Sequence, residues 1–357
     1  MRRIICISTI MFLLIILVVP MKVSAENISD DFNDILYNSD VDMTFEEGHD
    51  LDISAIIEKV KGSLADRLVA PIKMLGILLT VILLSTVLKM TGNDLKGSTN
   101  SDIFSLVCVL AVSSAVMPRL AEVYERAFRT VISTGGFISV FVPAFAGLTA
   151  AMGGIGSAGV YNLMILGASE LILSAADNWF MPTVSAVSAI SAAGAIFSDG
   201  SLDKLSALIK KALIWTMTAA VTLFTGFVSL KCTLEGKADG VATKTLKFAV
   251  SGFIPIAGGA VTDAYSTVRS SFDVIRCTAG TVGTVALVLI MLPPILEIAV
   301  YRLVMWIGAA VGEMFSAEAV TKLLSTLDCG LAIAQSVLVC YSLIFVLCTG
   351  ILMNCVS

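Results

Sequence analysis

The sequence predicts an all-α fold, a polytopic integral membrane helix bundle. Three observations carry that prediction. Hydrophobic residues make up 57% of the 357-residue chain and charged ones only 14%, against about 25% charged in soluble domains. Several apolar runs approach the ~20 residues an α-helix needs to cross a bilayer. Glycine and proline interrupt some of these runs, so amphipathic interfacial helices and at least one broken or re-entrant segment are expected beside the spans.

Residues 1–25 have the order of a secretory signal peptide: Arg2 and Arg3, an apolar stretch over 4–19, then Val23-Ser24-Ala25 as a small-residue cleavage site. That order places the mature N-terminus outside the cytoplasm. Residues 26–70 read as an acidic extracytoplasmic arm plus an amphipathic helix. No Lys or Arg offsets the acids before Lys59, and Ile53, Ile56, Ile57, Val60, Leu64 and Leu68 recur at helical spacing. Residues 71–357 form the polytopic domain, with about 6–8 spans expected from hydropathy.

Within that domain, 72–90 is the first strong span and 103–117 a shorter apolar run ended by Pro118. Residues 119–130 read as a second amphipathic helix, with Glu122–Arg126 and Glu125–Arg129 as i,i+4 pairs. The next apolar run, 131–152, carries Gly135, Gly136, Pro143 and Gly147. It leads into 154–159, a literal GxGxxG. A dinucleotide site needs a strand before that motif and a helix after it. Membrane-length apolar flanks make a turn between spans the expected structure instead. Glu170 stands inside the apolar run 160–176, and Ser185, Ala189 and Ala193 form a small-residue ridge in 179–197.

Residues 201–212 read as a third amphipathic helix, with Ser201 as its cap, and 213–230 as a clear span. Lys210 and Lys211 precede that span and Lys231 and Lys237 follow it, so counting positive charges does not orient it. The stretch 246–275 is anomalous. Gly252, Pro255, Gly258 and Gly259 interrupt helix, and a charged helix over 262–276 follows, with Arg269 and Asp273 expected to pair. Pro255, Gly258, Gly259 and Asp263 are therefore the gate candidates. Asp263 is expected at the junction as a helix-start cap, or as a charge lining a pore. Residues 279–301 form a span holding Pro293-Pro294 and Glu297, followed by Arg302; 303–315 contains Gly308-xxx-Gly312 and Glu313. A short amphipathic connection over 316–328 leads to the last span, 331–353.

Residue chemistry excludes much. His49 is the sole histidine, which removes His-based triads and metal sites. No GxxxxGK[ST] occurs, so any nucleotide-derived energy comes from a partner. The eight cysteines form no CxxC pair. No basic stripe with interleaved aromatics suggests nucleic acid. No catalytic, metal or cofactor residues are expected and the chain is not expected to be an enzyme. The intramembrane charges Glu170, Glu297 and Arg302 are expected to pair inside the bundle. The alternative is a secondary transporter of a small solute with Glu170 and Glu297 as coupling carboxylates; the two interrupted segments, 131–159 and 247–262, keep that alternative open.

The order of these features resembles the stage III sporulation protein AE family of endospore-forming bacteria. The most specific piece is Phe253-Ile254-Pro255-Ile256-Ala257-Gly258-Gly259 followed by Thr262-Asp263-Ala264, and the resemblance covers essentially the whole chain. It implies a membrane-embedded subunit of a channel complex between mother cell and forespore, akin to secretion systems and required for late forespore development. It implies residence in the mother-cell membrane around the forespore. Implied partners are other stage III membrane and ring-forming proteins, a cytoplasmic secretion-type ATPase and, indirectly, a forespore membrane protein. It assigns no catalytic residues.

Overall fold

A computed structural model describes residues 69–84, 86–87, 98–197, 200–253 and 258–355. The expected signal peptide, acidic arm and first amphipathic helix, together with Pro255, lie outside the described residues. The described chain is helical with no strand. In order come α1 (Val69–Leu84), α2 (Ser98–Ala151), α3 (Ile155–Ala175), a π-turn (Ala176–Phe180), α4 (Met181–Phe197), α5 (Gly200–Phe253), α6 (Gly258–Met314) and α7 (Glu318–Cys355). Five stretches are long and apolar enough to cross a membrane, with α1 as a shorter apolar helix.

The helices are longer than hydropathy suggests. At ~1.5 Å per residue, the 54-residue α2 and α5 and the 57-residue α6 each exceed ~80 Å. A bilayer's hydrocarbon core is ~30 Å thick. The charged stretches between the expected spans are therefore continuations of the same rods. Lys and Glu are good helix formers, so leaving the apolar layer does not require leaving the helix. Residues 201–212 and 213–230 belong to one helix that starts at Gly200 and runs on through Lys231 and Lys237. Pro118 and Pro143 lie inside α2, and Pro293-Pro294 inside α6. Proline removes one helical hydrogen bond, but ending the helix in an apolar layer would strand several more backbone groups.

Among the described residues, two junctions are real breaks. The chain turns at 152–154, ahead of the expected 154–159: Gly153 takes φ 92°, in the left-handed region that favours glycine, and α3 begins at Ile155. A side chain there would also meet Thr243 Oγ1 at 3.3 Å. Gly156 and Gly159 are thus helical and not part of a loop. The second turn, at 315–317, joins α6 to α7, so the expected 316–328 connection is mostly the first turns of α7.

Helix α7 forms the centre of the bundle and touches α2, α3, α4, α5 and α6. Leu323, Leu327, Leu331, Ala334, Leu338 and Phe345 along it are buried. Phe137, Phe141 and Phe145 stack along α2 at 5.5 Å spacings; Phe137 and Phe141 lean on Phe345 and Phe145 on Tyr161. Gly283 of α6 faces the Phe141 ring so closely that any side chain there would overlap it. Helix α5 is the exception. Only 6% of its apolar stretch is buried, against 61% for α6 and 50% for α7.

Candidate functional site

One buried ionic centre joins three helices. Arg302 of α6 is 4% exposed. Its Nε donates to Asp328 Oδ1 of α7 at 2.7 Å, and its Nη1 donates to Gln335 Oε1 at 2.6 Å. Lys210 of α5 donates to the other oxygen, Asp328 Oδ2, at 3.1 Å. The guanidinium also lies over the Trp306 ring, 5.2 Å from its centroid. Helical spacing produces this convergence. Asp328 and Gln335 are two turns apart on one face of α7, and Arg302 and Trp306 one turn apart on α6. Two cations thus share one carboxylate, and Gln335 satisfies part of the guanidinium. Removing one member of such a buried group leaves an uncompensated charge, at ~3–5 kcal/mol.

A second pair lies one to two turns along α6. Glu297, 3% exposed, receives a 2.6 Å bond from Arg126 of α2. Glu297 and Arg302 do sit inside the bundle, but each takes a partner from another helix. The expected Glu122–Arg126 pair does not form for that reason: Arg126 turns inward, and Glu122 is met by Arg119 at 3.4 Å. The Glu125–Arg129 pair forms as expected, at 2.7 Å on the surface.

The far end of the bundle is fastened by a different chemistry. Asp239 of α5 accepts from the N–H of Gly156 at 3.1 Å and from the N–H and hydroxyl of Ser157 at 3.0 and 2.9 Å. A carboxylate from one helix therefore caps the first turn of another, where unpaired N–H groups and the helix dipole favour negative charge. Gly156 leaves room for this contact, since a Cβ there would stand 2.7 Å from Glu235 Oε2. Nearby, Arg276 of α6 is fully buried. It pairs with Asp273 at 2.7 Å and donates to the Met353 carbonyl at 3.0 Å, while its Nε and Nη1 have no hydrogen-bond partner. Asp273 faces Arg276 and not the expected Arg269.

The two polar levels bracket a slab that is free of charge in α2, α5, α6 and α7 and carries Glu170 in α3. Residues 130–151 of α2, 212–230 of α5, 277–296 of α6 and 329–355 of α7 carry no Asp, Glu, Lys, Arg or His. Arg276 and Arg302 are 26 residues apart on one helix, or ~39 Å, close to the ~40–45 Å of a bilayer with its headgroups. Within the slab, hydroxyl pairs tie α3 to α7: Tyr161 Oη with Thr349 Oγ1 at 2.9 Å, and Ser169 Oγ with Tyr341 Oη at 2.5 Å. An apolar cavity of about 120 Å³ lies between α3, α5 and α7, lined by Trp179, Phe180, Leu213, Met217, Val337 and Ile344 among others.

The remaining expected site residues do not converge. Gly258 and Gly259 begin α6. Asp263 lies inside that helix, exposed, five residues past its start, so it is not the helix-start cap. Glu170 is exposed on the outer surface of α3 and does not pair within the bundle. Lys210, Asp328, Gln335, Arg126 and Asp239 do not stand out as site residues in the sequence. A signal for two of them exists: Asp328 and Gln335 stand one heptad apart where α7 enters its apolar stretch. Among the described residues, no group of three or more His, Cys, Asp or Glu is placed to hold a metal.

Long apolar rods, one apolar slab and charged layers on both sides of it define a polytopic membrane helix bundle. Residues 37–355 match the family model of stage III sporulation protein AE. The chain therefore belongs to the stage III sporulation protein AE family. It is 23% identical over 278 residues to stage III sporulation protein AE of Bacillus subtilis (strain 168), covering 77% of this chain and 69% of that protein. No solved structure matches it.

Proposed function

We propose that the chain is a non-enzymatic, membrane-embedded subunit of a sporulation-specific secretion or feeding channel between mother cell and forespore. It would work in the mother-cell membrane around the forespore, with its mature N-terminus extracytoplasmic. Its partners would be other stage III membrane and ring-forming proteins, a cytoplasmic secretion-type ATPase and, indirectly, a forespore membrane protein. The observation that carries this reading is family membership over residues 37–355, which takes in the whole described bundle. The site chemistry fits it, because the buried polar groups described join helices to one another. The transporter alternative gains nothing from the geometry. Glu297 is bound to Arg126, and Glu170 faces out of the bundle, so the two carboxylates share no cavity.

The test is a deletion strain together with affinity purification of the tagged protein from sporulating cells. The reading predicts arrest after engulfment and recovery of ring-forming partners. Normal sporulation in the deletion strain would end it.

A further inference from the structure

We propose that the outward face of α3 around Glu170 is the docking surface for a membrane-spanning helix of a different protein. That helix would present a Lys or an Arg at mid-membrane depth. Three observations lead there, and they rest on the membrane-spanning character of α3, not on the channel reading.

The first is depth. Ser169, next to Glu170, is bonded to Tyr341. On α7, Tyr341 lies 13 residues, or ~20 Å, from Asp328 and 12 residues, or ~18 Å, from Met353. Those two residues mark the polar levels, so Glu170 stands midway between them. The second is direction. Tyr161, Ile165, Ala168 and Ser169 turn the buried face of α3 toward the bundle. At 100° per residue, Glu170 falls nearly opposite them, on a face shared with Gly159, Leu163, Gly167 and Ser174, all exposed. Among the described residues, Glu170 makes no ion pair or hydrogen bond. A side chain added at Gly159 or Gly167 would meet nothing within 4 Å, so another backbone can approach there.

The third observation is charge, and it selects the occupant. A lone carboxyl at this depth is costly in lipid, and a cationic partner offsets that cost. At this depth the chain offers no cation: no Lys, Arg or His occurs in 130–203, 212–230, 277–301 or 323–357, and Lys73 lies near the start of α1. A second copy would place Glu170 against another carboxyl or against neutral side chains. A helix of a different protein with a basic side chain satisfies the site.

The experiment places a photo-crosslinking residue at Leu163 or Leu171 of the full chain in sporulating cells. Leu223 on the open face of α5 serves as the control position. The proposal predicts adducts from α3, stronger than from the control, to one membrane protein other than this chain. Adduct yield should fall about tenfold with Glu170→Gln and vanish with Glu170→Lys, while the protein stays in the membrane fraction. If Glu170→Lys fails to accumulate, the Glu170→Gln yield decides alone. Adducts only to lipid or to a second copy would overturn the proposal, as would an adduct insensitive to Glu170→Gln. Because the readout is a contact, such a failure is separate from the sporulation phenotype of the deletion strain.

Discussion

Helix α5 is gripped at two points roughly 43 Å apart along its axis, by Lys210 at one and Asp239 at the other, and the two grips differ in kind. Lys210 enters a buried centre where Asp328 also binds Arg302, and where Gln335 and Trp306 complete the surroundings of the guanidinium. Asp239 instead caps α3 through backbone N–H groups at a half-buried surface. Between the grips, α5 buries few side chains, Val228 and Cys232 among them. The contrast teaches that the helix with the least apolar packing depends most on polar contacts for its place. In lipid, apolar faces gain little from meeting each other, so directional contacts decide which helix sits where.

Asp328→Ala leaves both Arg302 and Lys210 without their carboxylate. It should cost ~3–5 kcal/mol, seen as loss of the protein from membranes or a large drop in thermal stability in detergent. Asp239→Ala removes a cap and should cost about 1 kcal/mol, within the 0.5–2 range for such groups. Its signature is local: faster proteolysis at 152–157 with little change in the global transition. Arg276→Met sharpens the contrast further. Arg276 is as buried as Arg302 but has two unpartnered nitrogens. Replacing it with an apolar side chain should change stability by less than about 1 kcal/mol, because desolvated N–H groups disappear along with the contacts they failed to make. A cost as large as that of Asp328→Ala would show that the two arginines are equivalent. Smallest of all, Arg129→Ala breaks an exposed pair with Glu125 and should shift stability by under about 0.5 kcal/mol.

The slab was legible in the sequence because it depends on composition over ~20 residues, which local pattern reports well. Helix ends were less so. Pro118, Pro293 and Lys231 look like stops when each is weighed alone, but the surrounding packing and the cost of unpaired backbone in lipid carry the helix through them. The glycines pointed to a turn but placed it at 154–159 instead of 152–154, and nothing in the sequence pointed to the Asp239 carboxylate that caps α3. The ionic centre was half visible. Arg302 and Glu297 stood out as charges in apolar runs, but their partners come from α2, α5 and α7. Lys210, Asp328 and Arg126 lie where the sequence reads as ordinary interfacial helix, and only tertiary packing turns them inward. Glu170 was expected inside the bundle, and helical phase places it on the opposite face.

The account's central claim is that the apolar slab is the membrane, with the Asp328 and Asp239 ends of the bundle on opposite sides of it. Helix α5 offers the most direct test, because Lys211, Leu223 and Lys237 are all exposed along it. Each is replaced by cysteine in a background without other thiols, and a membrane-impermeant maleimide is applied from one side at a time. The account predicts that Lys211→Cys and Lys237→Cys label from opposite sides and that Leu223→Cys labels from neither. Labelling of both lysine positions from the same side, or of Leu223→Cys from either, would contradict it.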